Sequence, residues 1–297
     1  MKRKRKTDKK LVVIVGPTAS GKTGLAVKLA KKFKGEVVCA DSRQIYSGMK
    51  IGTAQPDKRE KAGVPHRLFG IIPPKKVFSA AAYQKMALKT VKDIQKQGKM
   101  PFLTGGSAFY IYPVIEGWQF PKSKADPVLR KKLESMSLAR LFQMLRGLDK
   151  KRAENIDKKN KRRLIRAVEI AKRFGKVPEI TKKPVFDCLI LGIDPGKDEL
   201  KKRIEKRTER MLKQGLEKEV KSLVKKYGWT DVLKNTIGYA EFAQGPAFPL
   251  QELIALHTEQ FAKRQMVWFK KDKRIHWLKN QKQANTLIKK FTEIFSL

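Results

Sequence analysis

Cysteine and histidine are scarce in this chain of 297 residues, with two of the former and three of the latter. Cys39 and Cys188 each sit inside an apolar run, and no His or Cys group has the spacing of a zinc site. We expect both cysteines to be small core residues, with no disulfide and no metal. Acidic residues are few: 28 Asp and Glu against 69 Lys and Arg leave a net charge of +41. No apolar run reaches the roughly 20 residues of a membrane span. The basic start MKRKRKTDKK is not followed by a signal-peptide core. These absences argue against a disulfide-stapled secreted domain, a zinc module and a helical membrane protein. A soluble cytoplasmic protein is expected, a monomer by default.

What is present is a core and a field. The chain is 41% hydrophobic, enough for one large domain or two ordinary ones. An excess of +41 attracts polyanions and speeds their encounter, so RNA or DNA is a favoured partner. A lysine-rich background is the competing source for part of the excess.

Periodicity gives the fold class. LVVIV (from Leu11), EVVCA (from Glu36), MPFLTGG (from Met100) and CLILGI (from Cys188) read as buried strands. Leu25, Leu29 and Phe33 mark one helix face, and a second helix runs from Ala80 to Gly98. Strands alternating with helices predict an α/β fold: a parallel sheet with helices on both faces. Between about Gly117 and Lys183 strand signals vanish and helical patterns take over. We therefore expect a basic disordered tail (1–10), an α/β core (11–118 and 185–297) and a helical insertion (119–184). The insertion holds 21 Lys and Arg against 7 Asp and Glu, a net of +14. Two long helices, from Asp198 and from Leu253, then a short RIHWL strand and a last helix close the chain.

The first strand runs into GPTASGKT, which fits the phosphate-loop pattern at Gly16, Gly21, Lys22 and Thr23. Its backbone, from Gly16 through Pro17, Thr18, Ala19, Ser20 and Gly21 to Lys22 and Thr23, is suited to curl round a polyphosphate at a helix N-terminus. Lys22 reaches a terminal phosphate, and the Thr23 hydroxyl is a candidate Mg²⁺ ligand. The motif alone fits a nucleotide kinase or ATPase as well as anything else. Asp41 ends the second strand, where a carboxylate can hold Mg²⁺ through water, take a proton, or cap a turn.

Asp41 is not alone. GPTASGKT, DSRQIYSGMKIGTA, PHRLFGI, LTGGSAFY, NKRRLIRAVEI, IGYAEF and AKRQMVWFK follow one another along the chain. Together they resemble the tRNA dimethylallyltransferase family of bacterial type, over about Leu11 to Leu278. DSRQIY with the Gly-Gly pair and AKRQ carry the specific part of the likeness. The resemblance implies a phosphate loop that holds the diphosphate of dimethylallyl diphosphate, with Mg²⁺. It implies transfer of the prenyl group to the exocyclic amine of the adenosine just 3′ of the anticodon. By it, Lys22 and Arg207 neutralise the departing diphosphate and Asp41 is the general base. Contacts to the tRNA anticodon stem-loop fall on Asp41, Ser42, Arg43, Gln44, Ser107 and Arg130, and on Arg162, Arg163, Leu164, Ile165 and Arg166. Enzymes of this kind pull their base out of the stack.

His66 is expected to support the site through a hydrogen bond, and Trp268 and Phe269 to be core. Three positions depart from the family pattern: Ser107 for threonine, Gln55 for lysine and Gly70 for aspartate. A free-nucleotide adenylate isopentenyltransferase shares the core but needs no basic insertion. A phosphate-loop kinase or ATPase is the rival of another class.

Overall fold

β1 (Lys10–Val15) is buried at every position, as a central parallel strand covered on both faces must be. The computed structural model describes residues 9–121, 126–243 and 249–293. After β1 come α1 (Lys22–Lys32), β2 (Gly35–Cys39), the short α2 (Lys58–Lys61) and the two-residue β3 (His66–Arg67). Then follow α3 (Ala80–Lys96), β4 (Met100–Thr104) and α4 (Ala108–Glu116). α3 begins where the Ser79 hydroxyl accepts from the Ala82 N–H, and it stops short of Gly98, whose φ is +71°.

The chain divides into two compact units, Met1–Gly117 with Pro184–Leu297, and Trp118–Lys183. In the second unit, β5 (Trp118–Gln119) pairs antiparallel with β6 (Thr181–Lys182). Two residues per strand are too few to give a period, so the sequence showed no strand here. Between them lie α5 (Pro127–Glu134), α6 (Leu138–Leu148), α7 (Lys150–Glu154) and α8 (Lys161–Phe174). Asp126, Ser137, Asp149 and Asn160 cap these four helices with side-chain acceptors. Leu133, Leu141, Leu145, Leu164 and Val168 form the centre of this unit's own core.

The first unit resumes with β7 (Asp187–Gly192), α9 (Lys197–Lys213), α10 (Leu216–Tyr227) and α11 (Asp231–Lys234). α12 (Leu250–Phe269), β8 (Ile275–Trp277) and α13 (Gln281–Glu293) complete it. The stretch from Asp198 is two helices rather than one, because Gly215 turns the backbone at φ +91°. Six strands form a parallel sheet in the order β3-β2-β4-β1-β7-β8. β1 has β4 on one side and β7 on the other, so the winding reverses there. In such a sheet ligands bind at the carboxyl ends beside that reversal. The expected α/β class is therefore the one found.

One expectation is corrected at the start of the chain. Residues 1–8 lie outside the described residues, but Lys10, assigned to the tail, opens β1 and is buried. Its ammonium donates to the Phe291 carbonyl and lies over that ring, which is how a lysine is tolerated there.

Candidate active site

The carboxyl ends of β1, β2 and β4 carry the phosphate loop, Asp41 and the Gly105-Gly106 pair. Gly16 is required where it stands: at φ +150° a Cβ there would lie 2.5 Å from the Ile193 carbonyl oxygen. Gly21, at φ +91°, turns the loop into α1, and no side chain among the described residues caps the first amides of that helix. The Ser20 hydroxyl is buried with no partner among the described residues. The Lys22 ammonium folds back to donate to the Pro17 carbonyl. Burial pushes it down to about 7, with Arg207 adding to the push and Asp41 opposing it. A cation so poorly solvated is poised for an anion.

Arg207 faces the loop from α9. Its guanidinium donates to the Thr18 hydroxyl at 3.1 Å and to the Thr53 carbonyl at 3.4 Å. Burial lowers its pKa too. Arg203, one turn earlier, donates to the Ser20 carbonyl at 3.3 Å and to Glu199 at 2.7 Å. With Arg210 and Lys213 these line a cavity of about 770 Å³ that also includes Lys22 and Thr23. Arg203 was missed in the sequence, although its four-residue spacing from Arg207 was the available signal.

Asp41 caps a turn and keeps a free edge. Its Oδ1 accepts from the amides of Arg43 at 2.8 Å and Gln44 at 3.3 Å. Its Oδ2 accepts from none of the described residues. The loop is pinned from the side by Ser107, whose hydroxyl accepts from the Ser42 N–H at 2.9 Å. The expected RNA-side hydroxyl of Ser107 thus also braces the Asp41 loop, with one lone pair given to Ser42. The Ser42 hydroxyl in turn accepts from Ser107 at 3.2 Å. Gln44 donates to the Thr53 and Ala54 carbonyls, both at 2.9 Å. A second cavity, of about 290 Å³, is lined by Arg43, Asn235, Thr258, Phe261 and Arg264. The two cavities share Thr18, Asp41, Thr53 and Arg207.

The arrangement is a phosphate cradle on one side, a second basic opening on the other, and a carboxylate and a guanidinium where they meet. A model of the IPP transferase family matches residues 44–272. A tRNA dimethylallyltransferase of Picosynechococcus is 39% identical over 281 residues, covering 91% of this chain and 93% of the relative. One from Carboxydothermus hydrogenoformans is 38% identical over 299 residues, covering 96% and 95%. The chain belongs to the IPP transferase family. Among solved structures, a tRNA isopentenylpyrophosphate transferase of Bacillus halodurans superposes with a TM-score of 0.73 at 33% identity, covering 97% of this chain and 98% of that one. A eukaryotic dimethylallyltransferase acting on tRNA gives 0.80 at 26% identity, over 97% of this chain and 78% of that one. This IPP transferase is thus an enzyme of the tRNA dimethylallyltransferase type.

The residues expected to touch RNA from the second unit divide into three kinds. Arg162 is exposed, with no partner among the described residues, and exposed Arg163 lies 3.9 Å from Asp157. Arg130 makes two bonds to Glu169, at 2.8 and 2.7 Å, and Arg166 adds one at 3.2 Å. Glu169 is buried, so both arginines answer a structural need first. Leu164 and Ile165 bury their side chains in this unit's core, which leaves only their backbone for a contact with RNA.

Elsewhere in the IPP transferase, the His66 ring bonds the Val64 carbonyl at 2.8 Å and no site residue. Gln55 donates to the Gln44 and Tyr46 carbonyls, both at 2.8 Å, so this departure from lysine braces the Asp41 loop. Gly70 sits at φ +59°, a conformation aspartate also visits. Phe269 is core, but Trp268 is 42% exposed and stands edge-on to Phe109 at 5.2 Å. Neighbours on a helix point about 100° apart, so one buried residue does not bury the next.

Proposed function

We propose that this IPP transferase moves a dimethylallyl group from dimethylallyl diphosphate to the N6 amine of the adenosine immediately 3′ of the anticodon in tRNA, releasing diphosphate. The reading is carried by the meeting of the two cavities at Asp41 and Arg207. A donor held by its diphosphate in the larger cavity places its C1 at that junction, open to an amine arriving through the smaller one.

The residues divide the work as follows. Backbone amides of Ala19 and of Gly21 to Thr23, with Lys22 and Arg207, bind the diphosphate and take up the charge that grows on it as the C–O bond breaks. The amine forms the new C–N bond at C1, and the C–O electron pair leaves with diphosphate. The free Oδ2 of Asp41 accepts the proton the amine must lose. Its Oδ1 bonds to Arg43 and Gln44 keep that oxygen aimed.

Mg²⁺ fits the donor set. No group of three His, Cys, Asp or Glu able to hold a metal exists among the described residues. One hydroxyl, that of Thr23, with diphosphate oxygens and water, is the kind of shell this ion accepts. When bound, it would neutralise leaving-group charge.

The second unit supports the macromolecular half of the substrate. Exposed Arg162 and Arg163 offer charge to the phosphates of an anticodon stem-loop, while Arg130 and Arg166 present what Glu169 leaves free. We place the enzyme in the cytoplasm, where tRNA is, and take it to act as a monomer. No helix among the described residues is long and apolar enough to cross a membrane.

Incubation with radiolabelled dimethylallyl diphosphate and bulk tRNA tests the reading. Label should enter tRNA with one diphosphate released per prenyl group. Label entering free adenine nucleotide but not tRNA, or hydrolysis of ATP that the prenyl donor does not inhibit, would overturn it.

A further inference from the structure

Gln265 on α12 is 5% exposed and spends both ends of its amide on backbone. Its Oε1 accepts from the Thr18 N–H at 2.8 Å, and its Nε2 donates to the Gly106 carbonyl at 2.9 Å. The amide's orientation is fixed by its partners, since an N–H needs the oxygen and a carbonyl needs the nitrogen. A Cβ on Gly106 would fall 2.1 Å from that nitrogen, so glycine there makes room for the amide.

Each end reaches a different half of the reaction. Thr18 belongs to the phosphate loop, and its hydroxyl accepts from Arg207. Its N–H is committed to α12, which leaves the phosphate cradle to the later amides of the loop. Gly106 precedes Ser107, whose hydroxyl accepts from Ser42, the residue after Asp41. Gly105 reinforces this side: a Cβ on it would lie 2.1 Å from the Ala40 carbonyl oxygen, so the two loops touch through backbone. One buried side chain therefore stands between the groups that hold diphosphate and the loop that carries the general base.

We infer that Gln265 is a positioning residue that sets the phosphate loop in register with the Asp41 loop, so that the donor carbon and the proton acceptor address the same amine. It touches no reacting atom. A misplacement of about 1 Å at such a junction costs roughly 10²-fold in rate. The inference rests on the transfer reaction proposed above.

Two variants separate the ends of the amide. Gln265→Met loses both bonds at nearly constant volume, and Gln265→Glu keeps an acceptor for Thr18 but sets a carboxylate against the Gly106 carbonyl. Two quantities are read on enzyme corrected for folded fraction: the Kd for inorganic diphosphate, and the single-turnover rate at saturating dimethylallyl diphosphate and tRNA. Gln265→Met should weaken diphosphate about tenfold and slow transfer at least tenfold. Gln265→Glu should bring diphosphate binding back to within about threefold of the parent while transfer stays slow. A role confined to stability would lower the folded fraction and leave both quantities at parental values, which would overturn the inference. Should Gln265→Met not fold, Gln265→Glu decides alone, and a parental transfer rate overturns it. Parent enzyme that binds diphosphate but never labels tRNA would instead overturn the reaction on which the inference rests.

Discussion

Tyr239 donates its phenol hydrogen to Glu219 at 2.6 Å, onto a carboxylate that also accepts from the consecutive amides of Lys50, Ile51 and Gly52. The two side chains come from different segments and gather one loop. The next residue, Thr53, offers its carbonyl to both Arg207 and Gln44. Gly52 is required at the crossing, because a Cβ there would lie 2.5 Å from the Tyr239 ring. The motif residues of IGTA and IGYAEF are thereby explained as a clamp behind the site.

That clamp gives a first prediction. Tyr239→Phe removes one bond and should cost about 1–2 kcal/mol in chemical denaturation. Glu219→Gln leaves three amides facing one carbonyl acceptor and should cost more, and it should also raise the KM for the donor because the Thr53 carbonyl no longer steadies Arg207. A donor KM equal to the parent's in Glu219→Gln would confine the clamp to stability.

Lys22 supplies a prediction with a definite sign. Its ammonium titrates near 7 in the fold against about 10.5 when free. The folded state therefore binds fewer protons than the unfolded one between those values. This penalty on stability is fully present below pH 7 and is relieved as pH rises toward 10.5. Diphosphate needs the charged form, so its affinity should fall about tenfold between pH 6 and 8 in the parent. Lys22→Met should bind weakly and show only the ligand's own titration, which is common to both proteins. Calorimetric titration of both across that range is the check; parallel profiles would remove Lys22 from the diphosphate site.

Asp41 and Ser107 should fail in the same step. Asp41→Asn keeps the turn bonds but cannot take a proton, and the rate should drop by about 10² to 10⁴. Ser107→Ala unpins Ser42 and should slow single-turnover transfer about tenfold, with diphosphate affinity unchanged. A change confined to the KM for tRNA would instead make Ser107 an RNA contact alone.

Much of this was legible in the sequence because it is written in local patterns. The phosphate loop is one uninterrupted motif, and β1, β2, β4 and β7 are short apolar runs of the length of buried strands. The residues that brace the site are of another kind. Gln265 meets Thr18 across 247 positions and Glu219 meets Ile51 across 168. No spacing rule reaches that far. Leu164 and Ile165 show the opposite limit: they sit among arginines in the sequence, but a helix turns about 100° per residue and sends their side chains to the core.

The basic unit separates charge that is free from charge that is spoken for. Arg162 and Arg163 are exposed, whereas Arg130 and Arg166 are bound to the buried Glu169. Arg162→Gln with Arg163→Gln should therefore leave the fold unchanged and weaken tRNA binding, and each lost phosphate contact should lower the slope of log K against log salt by about 0.7 to 0.9. Arg130→Gln should behave differently. It takes two of the three bonds from a buried carboxylate, and should cost about 1–3 kcal/mol of stability, tempered by the arginine's own exposure. The measurements belong near physiological ionic strength, where the screening length is roughly 8 Å and the diffuse pull of the whole molecule fades first. Diphosphate binding should be parental in all of them, since the groups proposed to hold it lie on the phosphate loop and α9. If the double variant binds tRNA with the parental salt slope, these two arginines are not its phosphate contacts, and the grip lies elsewhere on the chain.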